Sequence, residues 1–169
     1  MAYTYSKIAT VTVGSGGVSS IDFLAIPQNY TDLVLKVSAR GTRASVYDQM
    51  YFSINGGVSG DGSAKYLLGT GSAASSGNAG LQIGYADGAN ATASTFGNSE
   101  IYFPNYAGSN QKSASSDSVI ENNGTEAEAI MMANLWPFTA AINRITLTTN
   151  SGNFVQYSSA TLYGIKAEV

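Results

Sequence analysis

The chain contains neither cysteine nor histidine. Without cysteine there is no disulfide, no thiolate nucleophile and no sulfur-ligated metal. Without histidine the commonest general base and the commonest metal ligand are both missing. Charge is scarce as well, with Asp, Glu, Lys and Arg making up 11% of residues where a quarter is usual. The eight Lys and Arg residues are scattered from Lys7 to Lys166 and leave a net charge of −3. A protein that holds a phosphate backbone concentrates its cations, so no nucleic-acid partner is expected. No apolar run approaches the roughly 18 residues of a membrane span, and none is expected. The opening MAYTYSKIAT has no positive stretch leading into an apolar one, so no secretory signal is expected either.

What is present is a hydrophobic fraction of 44% over 169 residues, too much for disorder and a length suited to one domain with a single core. Ser, Thr, Asn, Gly and Ala take the place of charge, giving a neutral surface suited to hydrogen-bonded contact. The dominant pattern has period two. From Tyr3 to Val13 the odd positions are mostly apolar and the even ones mostly hydroxylic, which reads as a half-buried strand. Ile21 and Phe23 restart the alternation after Gly14-Ser-Gly-Gly, and Leu33, Leu35, Val37 and Ala39 form a buried face opposite Lys36, Ser38 and Arg40. Met50, Phe52 and Ile54 follow, ended by an Asn55-Gly56-Gly57 turn.

Weaker strands are expected around Tyr66-Leu67-Leu68 and Leu81, Ile83 and Tyr85, and a clearer one around Ile101 and Phe103. Lys112 to Ile120 is Ser-rich and ambiguous. Ala127, Ala129, Met131, Ala133 and Leu135 share one strand face, with Asn122-Asn123-Gly124 as the preceding hairpin turn. A helix competes over Thr125 to Leu135, but strand neighbours favour a strand. Ile145 and Leu147, then Phe154 to Tyr157, then Ala160 to Ala167 complete about ten to twelve short strands. The spacing points to an all-β, antiparallel sandwich or barrel in a single domain, residues 1–169. Gly69 to Gly80 and Ala86 to Gly97 read as long loops at one end.

Few motifs carry chemistry. Gly14-Ser-Gly-Gly and Gly69-Thr-Gly-Ser lack the Lys-Ser/Thr and the helix of a phosphate loop, and read as turns. Glu126 and Glu128 fall on one strand face, roughly 6.5–7 Å apart, a spacing known from glycoside hydrolysis. Their place beside a polar turn predicts solvation rather than the desolvated acid such catalysis needs. Serine is abundant but has no evident base. Asp61-Gly62-Ser63 and Asp87-Gly88 lack the alternating acidic ligands of a calcium loop. The expectation is therefore no enzyme, no catalytic residue, no cofactor and no metal. The sequons at Asn29, Asn90 and Asn123 read as chance in so Asn-rich and Ser-rich a chain. Eleven Tyr, six Phe and one Trp are the main surface resource, and Tyr47, Tyr66, Tyr85, Tyr106 and Trp136 fall near expected loops or strand ends as candidate contact aromatics.

Four stretches carry a resemblance: Met1 to Ala9, Ile26-Pro-Gln-Asn-Tyr-Thr-Asp-Leu-Val-Leu-Lys-Val-Ser-Ala-Arg40, Phe96 to Gly108, and Tyr157-Ser-Ser-Ala-Thr-Leu-Tyr-Gly-Ile-Lys166. Together they resemble small virion structural proteins of tailed bacteriophages of aquatic bacteria. The resemblance implies a jelly-roll-like sandwich, trimeric, located in the virion and assembled in the host cytoplasm. Its partners would be further copies of itself and the major capsid protein or other virion proteins. On that footing the expected function is a capsid decoration (cement) protein. The alternative is a tail or fibre module binding host surface glycan through its tyrosines.

Overall fold

The computed structural model describes residues 3–57, 62–122 and 126–167. Among them there is no helix. Twelve strands follow one another: β1 (Tyr3–Thr12), β2 (Ser20–Phe23), β3 (Asp32–Ala39), β4 (Tyr47–Ile54), β5 (Ser63–Gly69), β6 (Ala74–Ala79), β7 (Gln82–Asp87), β8 (Gly97–Phe103), β9 (Lys112–Glu121), β10 (Ala127–Trp136), β11 (Ile145–Thr149) and β12 (Ser159–Ala167). They form an eight-stranded sheet in the order β1-β12-β3-β8-β9-β10-β5-β6 and a four-stranded sheet in the order β2-β11-β4-β7. Every pairing between named strands is antiparallel.

With β5, β6, β9 and β10 set aside, the remaining strands are β1, β2, β3, β4, β7, β8, β11 and β12. Counted in chain order, one sheet then reads first, eighth, third, sixth, and the other second, seventh, fourth, fifth. That winding is a jelly roll. The β5–β6 hairpin is inserted between its fourth and fifth strands and β9–β10 between its sixth and seventh. The two insertions meet where β10 pairs with both β9 and β5, extending the large sheet by four strands.

The core lies between the sheets of the jelly roll. Leu33, Leu35, Val37 and Ala39 of β3 face Met50, Phe52 and Ile54 of β4, all buried, as their alternation predicts. The Phe52 ring meets Trp136 at 4.5 Å and Phe103 at 5.7 Å between centroids, both edge to face, the geometry aromatic quadrupoles favour. Gly164 of β12 lies under the Tyr30 ring, where a Cβ would come within 2.3 Å of the ring carbons. The glycine of the Leu-Tyr-Gly-Ile ending is therefore a close-approach residue.

Four sequence expectations change. The single face read from Tyr3 to Val13 is broken by a β-bulge between Lys7 and Ala9. Tyr5 is consequently 53% exposed although it shares parity with the inward Ala9 and Val11. One extra residue flips every side chain beyond it. Gly69 to Gly80 is no long loop but a turn and strand β6, its small residues suiting a sheet edge rather than a core. Of Ala86 to Gly97 only the segment after β7 is loop. Phe154 to Tyr157 is not a strand, because Phe154 makes only isolated bridges to Val18 and Gly41 and Tyr157 sits at φ 74°. Lys112 to Ile120 and the segment after residue 126 are strands β9 and β10. The proposed turn residues Asn123 and Gly124 lie outside the described residues, as does Asp61.

Candidate functional surface

The joint between the extension and the four-stranded sheet depends on one glycine. Gly84 of β7 has φ 130°, and a Cβ there would fall 2.1 Å from the Ser118 Cβ on β9. Only glycine accepts both constraints. Across this joint the Tyr85 amide donates to Ser118 Oγ at 3.1 Å, and the Ser99 hydroxyl donates to the same oxygen at 2.7 Å. β7 is thereby held beneath β9, and the inner face of the extension closes over it.

One register row crosses all eight strands of the large sheet on its outer face: Thr10, Thr161, Lys36, Glu100, Asp117, Met131, Leu67 and Ser76. Its first half is hydroxylic and charged, with Thr10 against Thr161 at 3.0 Å and Lys36 paired to Glu100 at 2.8 Å. Beyond Glu100 it passes through Asp117 to the apolar pair Met131 and Leu67 and ends on Ser76. Met131 is 63% exposed, Leu67 55%, Leu135 42% and Val119 40%. Met131 and Leu67 stand directly opposite each other, and Val119 opposite Ala129. They form a ridge flanked by two shallow hollows of about 290 and 410 Å³. Lone exposed hydrophobics are ordinary, whereas a contiguous set on one sheet face marks a contact surface.

The inner face of the extension has the opposite character. Its small cluster of Ala64, Ile130 and Met132 is interleaved with buried Ser116, Ser118, Glu128 and Asn134. Glu128 is only 9% exposed, which corrects the expectation of a solvated pair. Burial pushes its carboxyl up to about 7, with the neighbouring Glu126 carboxyl adding by repulsion and by a hydrogen bond. The two carboxyls close on each other instead of standing roughly 5–9.5 Å apart as a glycosidase pair does.

The candidate aromatics divide. Tyr106 and Trp136 are fully buried core residues and cannot meet a partner at the surface. Tyr106 donates its hydroxyl to the Pro27 carbonyl, so its polar end is satisfied inside. Tyr47, Tyr66 and Tyr85 are half-buried and come together where the small sheet meets the extension. The Tyr47 and Tyr85 rings lie 4.9 Å apart at 40°, with Arg43 5.6 Å from the Tyr47 centroid and Tyr66 packed on the small cluster. The Tyr85 hydroxyl is pushed up to about 12, first by burial and then by the Glu128 carboxylate.

Elsewhere the polar groups serve the loops. Arg40 of the β3 end donates to the carbonyls of Ala89, Ala91, Thr92 and Thr95, at 2.8–3.2 Å, holding the loop after β7 as a cation would. Lys112, nearly fully buried, donates to the carbonyls of Gly108, Asn110 and Thr139, and burial lowers its pKa. Asp48 is buried beside the Arg43 guanidinium and the amides of Arg43, Asn150 and Ser151. Burial raises its carboxyl, and those neighbours oppose the rise. Asp87 is buried as well, and among the described residues no three acidic side chains gather in a metal-holding cluster. The glycine-rich segments are turns: Gly16 and Gly17 have φ of 99° and 71°, Gly71 has 82°, and the Thr70 amide donates to the Ala73 carbonyl. Asn29 and Asn90 are exposed, while Asn123 lies outside the described residues.

Sequence reasoning missed the apolar outer face. The signal was present in β10, where Ile130, Met132 and Trp136 alternate with Met131 and Leu135. A strand apolar on both faces either lies inside a protein or presents one face to a partner. Comparison with family models, with curated proteins and with solved structures finds no match for this chain.

Proposed function

We propose that this chain is a non-enzymatic structural module of a tailed-phage virion, a decoration protein that self-associates and binds the outside of the capsid. The observation that carries the reading is the contiguous apolar face of Leu67, Val119, Met131 and Leu135 on the extension. Burial of such a face drives association, and sparse charge leaves little to oppose it. The jelly-roll winding agrees with the resemblance of the sequence to small virion proteins, which also favours a trimer. The closed Glu126–Glu128 pair and the missing histidine and cysteine speak for contact rather than catalysis. Light scattering across a concentration series, followed by addition to preformed heads lacking the protein, tests it. The expected result is a homo-oligomer at micromolar concentration that saturates the heads. A strict 17.5 kDa monomer at all concentrations overturns it. The Tyr47–Tyr85 pair favours a second reading, a tail or fibre module that stacks on host surface glycan. Binding to host cells or their glycans, with none to heads, selects that reading.

A further inference from the structure

A sandwich has four edges, and three of them here are closed to further pairing. β1 carries Lys7 and the bulge beside it. β2 has only four residues, with Asp22 tied to Arg144 at 2.8 Å. β7 has an irregular register at Gly84 and lies beneath β9. Such bulges, charges and short strands are the usual means of blocking edge-to-edge association.

The fourth edge, β6, has none of these devices. It reads Ala-Ser-Ser-Gly-Asn-Ala from Ala74 to Ala79, and its pairing with β5 runs without a bulge. It contains no charge and no proline, and Ala74, Ser75, Ser76 and Asn78 are exposed. The nearest cation, Lys65 on β5, is engaged by Asn78 on the sheet face. An outermost strand turns the N–H and C=O groups of alternate residues away from its single neighbour. Nothing in β6 repels a strand that would take them.

We infer that β6 pairs antiparallel with β6 of a second copy, joining two large sheets into one across a twofold axis. The inference rests on the self-associating reading above and names the surface. A twofold perpendicular to the sheet at Ser76 sets Ser76 against Ser76, Ser75 against Gly77 and Ala74 against Asn78. Only small, uncharged side chains then meet, so the strand is compatible with itself, as an isologous contact requires. The same axis keeps outer face beside outer face, so the Leu67–Met131 ridges of both copies lie on one side of the joined sheet, with the paired Ser76 residues between them. A second copy is the occupant favoured by this self-compatibility; a partner chosen by charge would find nothing on β6 to read. A twofold seam gives even-numbered assemblies and coexists with a threefold only in a hexamer or a larger closed assembly.

The test is hydrogen–deuterium exchange of the amides of residues 74–79, run from dilute to concentrated protein, with light scattering of Ser76→Lys and Ser76→Thr. Expected are slower exchange in β6 as concentration rises and an even-numbered assembly. Ser76→Lys, which sets like charges opposite each other, should weaken association by about tenfold or more, with an unchanged circular dichroism spectrum. Ser76→Thr should associate like wild type. An oligomer whose β6 amides stay unprotected, a plain trimer, or undiminished association of folded Ser76→Lys overturns the seam and leaves self-association standing. A strict monomer overturns self-association itself.

Discussion

The eight-stranded sheet joins two regions built on opposite plans. In the jelly-roll half, β1, β12, β3 and β8 turn Leu33, Leu35, Ile101 and Leu162 inward, all fully buried. Thr10, Lys36 and Glu100 face outward there. In the extension, β9, β10, β5 and β6 turn Ser116, Ser118, Glu128 and Asn134 inward and Val119, Met131, Leu135 and Leu67 outward. Among the described residues Asn134 Oδ1 and Nδ2, Ser116 Oγ and Glu128 Oε2 make no hydrogen bond, a cost that the jelly roll meets too, at the Asp48 and Asp87 carboxyls of its small sheet. The difference teaches that the two halves draw stability from different sources. The jelly roll has its own core, whereas the extension leans on β7 through Gly84 and leaves its best apolar surface for a neighbour.

The largest effect should come from the self-sufficient half. Leu35 is fully buried between the sheets, so Leu35→Ala leaves a cavity and should cost about 2–5 kcal/mol. Urea denaturation of the purified protein measures it. A loss below about 1 kcal/mol would mean that the core collapses around the missing atoms, and the contrast between the halves would weaken.

Glu128 sharpens the contrast from the extension side. Its folded pKa, about 7, stands above the ordinary 4.5. Between those values the native state binds more protons than the unfolded state, so the stability contributed by the neutral acid is complete below about pH 4.5. It drains away as pH rises toward 7 and is gone above. The loss is at most about 3 kcal/mol. Glu128→Gln keeps a neutral donor beside Glu126 at every pH. It should therefore match wild type near pH 4.5 and exceed it in melting temperature at pH 8. Melting curves that run parallel across this range would show that Glu128 ionises without cost and that the inner face is open to water.

Much of the jelly roll was legible because one face of each strand is buried and the other wet. In β3 and β4, period two translates directly into sidedness. The extension was less legible for the same physical reason. β6 has no apolar residue larger than Ala to mark an inner face, and β9 carries Ser at nearly every other position. β10 is apolar on both sides, so alternation cannot say which face is covered. The bulge at Lys7 and Ala9 escaped because one inserted residue leaves no compositional trace. Among the candidate aromatics, Tyr47, Tyr66 and Tyr85 are half-buried, so loop proximity is consistent with their exposure. It failed for Tyr106 and Trp136, whose place was set by partners distant in sequence, Pro27 and Phe52.

The smallest effect on folding should be the most informative about association. Lys36 and Met131 occupy the same outer row, two strands to either side of the boundary where the sheet changes character. Lys36→Ala removes one half of an ion pair whose side chains are 53% and 43% exposed. Such pairs contribute about 0–1 kcal/mol, and no change in oligomeric state should follow. Met131→Ser removes a side chain already 63% exposed, so the fold should change by within about 0.5 kcal/mol. Yet Met131 forms the crest between the two hollows, and a crest buried in a contact carries far more energy there than in the free subunit. Light scattering of both variants at matched concentration should show wild-type assembly for Lys36→Ala and a shift toward monomer for Met131→Ser. Equal assembly by both would mean that the apolar face stays open in the oligomer, and the contact would then have to lie elsewhere on the molecule.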